Sequence, residues 1–341
     1  MDGFPLIRTS LERRIMRHRL LTAAVATSLA LSLSPAVASA EPAPLTGVEL
    51  NTTAANSVAV DATFDYGAAR ENGLPALKKL RGEMWDRNPY FNLDGKAGTT
   101  HLRDIATQYG LNTKEEYVNA VSVDNALTRI AVQRAVEAST KFDHKRPDGT
   151  SADTATFNGR SHFSENLGAG TALREAVYRL WGYGELNGLN NAGGSFYGGG
   201  HLHMLLDPRY HYFGFGEVTV PGTEYGTYTV AKASPDAFGG TALETGMQRA
   251  WLYRAPNPGE QPTGLKSGKP TPQAPVNPQP KPNQPSNPSN PSAGNNTDQS
   301  NGLNESGGGS SADLNKIIGI VFGILSLLGA IAGIAKQLGL I

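Results

Sequence analysis

Three short segments carry most of the residues able to do chemistry. His144-Lys145-Arg146-Pro147-Asp148-Gly149 sets an imidazole ahead of a turn, and Ser164-Glu165-Asn166-Leu167-Gly168-Ala169-Gly170 sets a carboxylate ahead of a glycine-containing stretch. Gly200-His201-Leu202-His203 then leads on to Asp207-Pro208-Arg209-Tyr210. Neutral imidazoles and a carboxylate brought into one cleft suit a divalent ion such as zinc. The same set serves as a general base with the partner that orients it. No single spacing decides between the two. The chain has no H-E-x-x-H, EF-hand, P-loop or G-x-S-x-G pattern, and Ser195, in Gly193-Gly194-Ser195-Phe196-Tyr197, fails the nucleophile-elbow test. Taken alone, His144 reads first as a surface or capping histidine. If residues 201–203 are extended, His203 faces the same way as His201 and becomes an accessory cleft residue; if they are helical, it points elsewhere.

These segments need elements to bring them together. Asn125 to Thr140 predicts a helix, with Leu127, Ile130, Ala131, Arg134, Ala135 and Ala138 at helical spacing. The alanines imply close packing against a neighbouring element. Thr171 to Leu186 predicts a second helix through Leu173, Val177, Leu180 and Trp181. Residues 41–60 read as an irregular lead-in. From Asp61 to Arg87 the pattern is helical but broken by Gly67, Gly73 and Pro75. Thr113-Lys114-Glu115-Glu116 has the form of a capping box. Residues 141–170 and 187–200 are polar and glycine-rich and read as loops. Tyr212 to Val220 and Thr227 to Ala233 alternate, are rich in β-branched and aromatic residues, and predict a hairpin. Helices followed by a hairpin imply an α+β fold.

The ordered set resembles the CAP (SCP-like) superfamily of cysteine-rich secretory proteins, venom allergens and plant pathogenesis-related proteins, in its bacterial branch. That branch carries H-x-R-P-D-G, G-E-N-[IL], a tryptophan helix and G-H-x-x-x-[IL]-L-x-P-x-[FY] before a G-x-G strand. The chain shows these in order over residues 126–233, with Ser164 in place of the glycine of G-E-N. The resemblance implies an αβα sandwich of helices on a small, mainly antiparallel sheet. It also implies a cleft of two histidines and two acids: His144, Glu165, His201 and, after the tryptophan helix, Glu185. The offset of Glu185 from Trp181 is one residue longer than the family pattern. Family clefts of this kind bind divalent metal, so zinc, calcium or magnesium is expected and no organic cofactor. If there is catalysis, Glu165, His144 and His201 are its candidates.

Composition sets the surroundings. The chain has 341 residues, balanced charge and no cysteine. Balanced charge argues against nucleic-acid binding. The lack of cysteine removes disulfide frameworks, zinc–thiolate sites and thiol nucleophiles. Arg13 to Arg19, the apolar Leu20 to Leu33 and Ala38-Ser39-Ala40 have the order of a signal peptide over residues 1–40. The CAP domain is expected over residues 61–255. Residues 256–311, rich in proline and then in Asn, Gly and Ser, are expected to form an extended stalk. Within residues 312–341, the uncharged run 317–335 is long enough to span a bilayer, and its small-xxx-small pairs suit helix packing and a homo-oligomer. The reading is an exported, surface-displayed binding module for an envelope or wall component, a lipid or a host molecule. A metal-dependent hydrolase and a structural envelope protein are the alternatives.

Overall fold

The computed structural model describes residues 46–271. The expected signal segment, the stalk beyond residue 271 and the apolar tail lie outside the described residues. Among the described residues no helix is long and apolar enough to cross a membrane.

The fold is α+β. A six-stranded sheet runs in the order β3-β5-β4-β1-β6, with β2 pairing β4. Its strands are β1 (Val58–Phe64), β2 (Ser122–Val123), β3 (Glu165–Ala169), β4 (Tyr212–Thr219), β5 (Thr227–Ser234) and β6 (Gln248–Arg254). Only β2 runs parallel to its neighbour. The expected hairpin is β4 and β5, paired from Tyr212↔Ser234 to Thr219↔Thr227.

The helices are α1 (Leu74–Arg87), α2 (Leu102–Gln108), α3 (Lys114–Asn119), α4 (Asn125–Ala138), α5 (Leu173–Glu175), α6 (Gly184–Asn191) and α7 (Gly200–Leu206). One face of the sheet takes α4. Ala131, Val132, Ala135 and Val136 pack there with Phe64, Leu167, Val218, Tyr228, Val230 and Leu252. The other face takes the remaining helices, where Leu77, Leu80, Trp181, Leu202 and Leu205 meet Phe213, Phe215, Ala231 and Ala233. Small residues allow the close approach of α4: a Cβ at Gly216 would stand 2.6 Å from the Ala131 carbonyl carbon, and one at Gly214 would overlap Leu127 backbone. The Thr113 capping box forms, with its hydroxyl accepting from Glu116 N–H and Glu116 reaching back to Thr113 N–H.

The structure corrects four local expectations. The stretch expected to be helical from Asp61 opens instead with β1, which pairs β6 along its whole length from Val58↔Arg254 to Phe64↔Gln248. The β-branched, alternating Val58-Ala59-Val60-Asp61-Ala62-Thr63-Phe64 suits a pleated surface, and its partner lies far along the chain. Residues 141–170 are not all loop, because Glu165–Ala169 is an edge strand paired with β5. The second helix runs past Leu186 to Asn191, so only the later part of 187–200 is loop.

The fourth correction concerns residues 256–271, which are not a free spacer. Glu260 accepts from the Arg254 guanidinium at 2.7 Å on each oxygen. Thr263 and Gly264 N–H groups both reach Ser57 O at 3.0 Å. Lys266 lies over the Trp251 ring at 5.5 Å, Arg249 donates to Thr271 O, and Pro270 is buried. The segment is a strap running back along β6.

Candidate functional site

His144 follows α4 by a short loop, and Glu165 opens β3. His144 Nδ1 lies 3.0 Å from Glu165 Oε1. The carboxylate is buried, whereas half of the imidazole is exposed. Arg134, from α4, donates through Nε to Glu165 Oε2 at 2.8 Å and through Nη2 to Oε1 at 3.1 Å. Lys232, the cross-strand neighbour of Glu165, places Nζ 3.8 Å from Oε2. Burial pushes the Glu165 carboxyl up, but the Lys232 charge, the His144 bond and Arg134 together hold it well below the usual carboxylate range. An ionised carboxylate only accepts, so His144 Nδ1 carries the proton, and in the neutral ring the lone pair is the one on Nε2. Burial pulls the Lys232 ammonium down against the attraction of Glu165, and its Nζ has no hydrogen-bond partner among the described residues.

The second pair is built the same way. His201 Nδ1 stands 2.5 Å from Glu185 Oε1, and Leu202 N–H donates to Oε2 at 2.9 Å. Glu185 thus satisfies a free N–H in the first turn of α7, where a carboxylate also suits the helix dipole. The far end of α7 is closed by Arg81, donating to Leu205 O and Asp207 O at 2.9 Å, and by Tyr117 Oη to Leu206 O at 2.6 Å. Trp181 is buried, donates to Leu167 O at 2.8 Å and lies beside the His201 ring.

The backbone between Trp181 and Glu185 departs from a regular α-helix. Residues Ala176–Tyr183 are π-helical, between α5 and α6. A π turn closes its bonds over five residues rather than four, and Glu185, two residues beyond it, meets His201.

The two pairs flank the start of β3. Glu165 faces α4, and the next residue, Asn166, faces α7, as alternation along a strand requires. Asn166 Nδ2 donates to His201 O at 3.1 Å, which ties the second pair to the strand that carries the first. His203 is not brought in. Residues 201–203 are helical, and His203 is buried against Phe91 (ring centroids 4.3 Å apart) with Nε2 2.8 Å from Asn92 O. His162 pairs locally with Ser164 Oγ at 2.8 Å.

The chemistry of this donor set is specific. Both oxygens of Glu165 are occupied by Arg134, and both of Glu185 by His201 and Leu202. Among the described residues no group of three or more His, Cys, Asp or Glu gathers in a ligating arrangement. The carboxylates are placed as orienting partners of the imidazoles, an arrangement that accompanies metal-binding histidines. A metal at this site would therefore have to be held by His144 and His201, with Glu165 and Glu185 behind them. Arg134, Lys232 and Asn166 escape a motif reading. The available signals were an arginine on the apolar face of the α4 pattern and a lysine inside an apolar strand.

A helix-flanked, mainly antiparallel sheet bearing two His–Glu pairs at the start of an edge strand defines the class of the CAP sandwich. Residues 83–232 match the family described as the Cysteine-rich secretory protein family (CAP), and the chain carries a CAP domain there. The match starts in α1, well ahead of the motifs legible in sequence, and leaves β1 and β6 outside it. No curated protein and no solved structure matched the chain.

Proposed function

We propose that this CAP-domain protein is an exported, surface-displayed binding module whose cleft holds a divalent ion between His144 and His201 and uses it to engage an envelope, lipid or host ligand. The observation that carries the reading is the pairing of each imidazole, through Nδ1, with a buried carboxylate that is itself held. Such pairing selects one tautomer and turns the Nε2 lone pair toward a ligand. When bound, the ion supplies a Lewis-acidic centre; the chain supplies the orientation. Against the hydrolase alternative stands Arg134, which engages both oxygens of Glu165 and so removes the carboxylate best placed to act as a base.

Calorimetric titration of the full chain with zinc tests the reading. One ion per chain is expected, with affinity lost in both His144→Ala and His201→Ala. Unchanged binding in either variant contradicts it.

A further inference from the structure

We propose that the buried triad Arg134–Glu137–Arg146 is the positioning unit of His144. This rests on the reading of His144 as an imidazole that presents Nε2. Arg134 and Glu137 stand one turn apart on α4 with fully buried side chains, joined at 2.7 Å. Arg146 reaches the same Glu137 carboxylate, with Nη2 2.6 Å from Oε1 and Nε 3.1 Å from both oxygens. The triad reaches the chain on either side of His144 and, through Arg134, the carboxylate that its ring bonds. Arg134 Nη2 donates to Asp143 O, the carbonyl just before His144, at 2.9 Å. The same guanidinium grips Glu165, the partner of the imidazole. Arg146, two residues after His144, is anchored further by Glu49 O at 2.7 Å.

Stability alone does not explain such a group. A buried Arg–Glu–Arg set exchanged for apolar residues of similar volume is often neutral or stabilising. What apolar residues cannot do is bridge several acceptors at set angles, which the planar guanidinium does. A half-exposed histidine at the end of a loop otherwise samples several rotamers, and ordering it on ligand capture costs free energy. The triad orders the loop and the carboxylate beforehand.

The test is the triple variant Arg134→Met, Glu137→Leu, Arg146→Met in the full chain. Lys232 remains 3.8 Å from Glu165, so that carboxylate keeps a counter-charge. Thermal unfolding should show a folded protein. Long-range proton–nitrogen NMR should show His144 change from a single Nδ1–H tautomer to an averaged one, with His201 unchanged as the internal control. Zinc affinity should fall about 10–100-fold. A folded triple variant that keeps the single His144 tautomer overturns the proposal. If the triple variant does not fold, Arg134→Lys decides by the same signal: lysine reaches Glu165 but cannot also fork to Glu137 and Asp143 O, so an unaltered His144 overturns the proposal. If the wild-type chain takes no zinc, the metal reading fails, and the tautomer signal alone decides the positioning role.

Discussion

The carboxylates and imidazoles of the two pairs have divided roles. Glu165 is buried between two cations and a histidine, so its charge is a condition of the packed structure. Replacing it by glutamine leaves Arg134 facing an amide that cannot match the fork, with Lys232 still beside it. Glu165→Gln is therefore expected to lower stability by about 3–5 kcal/mol, the range for breaking one side of a buried ion pair. Denaturant unfolding checks this, and a loss under 1 kcal/mol contradicts the placement. His144, Glu165 and His201 were legible in sequence because the peptide segments around them are distinctive. Arg134 was visible only as one member of a helical stripe. Its partners lie in the loop after α4 and on β3, and no local pattern links those positions. His203 was open in sequence because its direction depends on whether residues 201–203 coil. They do, and burial against Phe91 pulls that imidazole down and keeps it out of the cleft.

At the scale of elements, α4, the β4–β5 hairpin and the capped α3 follow from periodicity and turn chemistry. The edge pairing of β1 with β6 does not, since each strand is short and the partner is contributed by the far end of the domain. The strap over β6 was also hidden, because its composition is that of a spacer. Its anchoring is a specific ion pair. Hydrogen bonding to Arg254 holds the Glu260 carboxyl down to about 2 from its ordinary 4.5. A depressed carboxyl stabilises the folded form above its unfolded value, and that contribution disappears as pH falls through the folded one. Glu260→Gln should therefore melt below the wild type at pH 6, with the gap closing by pH 2. Equal melting at pH 6 refutes the strap as a packed part of the domain. The π turn before α6 is likewise invisible to a motif count.

For the whole molecule, the sheet order puts Glu165 and the strap at opposite edges. Glu165 begins β3, one edge strand, and residues 256–271 lie along β6, the other. Four strand spacings of ~4.8 Å separate them, roughly 19 Å. Thr271, the last described residue, therefore lies at the edge away from Glu165. The strap covers the sheet at the β6 edge, which the family match leaves out. The central claim is that the imidazoles are the ligands and the carboxylates stand behind them. A crystal structure of the full chain with zinc tests it most directly. The account predicts zinc at about 2.0–2.1 Å from Nε2 of both His144 and His201, with Glu165 still on Arg134 and Glu185 still on Leu202. Zinc bonded to an oxygen of Glu165 or Glu185, with those contacts displaced, would contradict it.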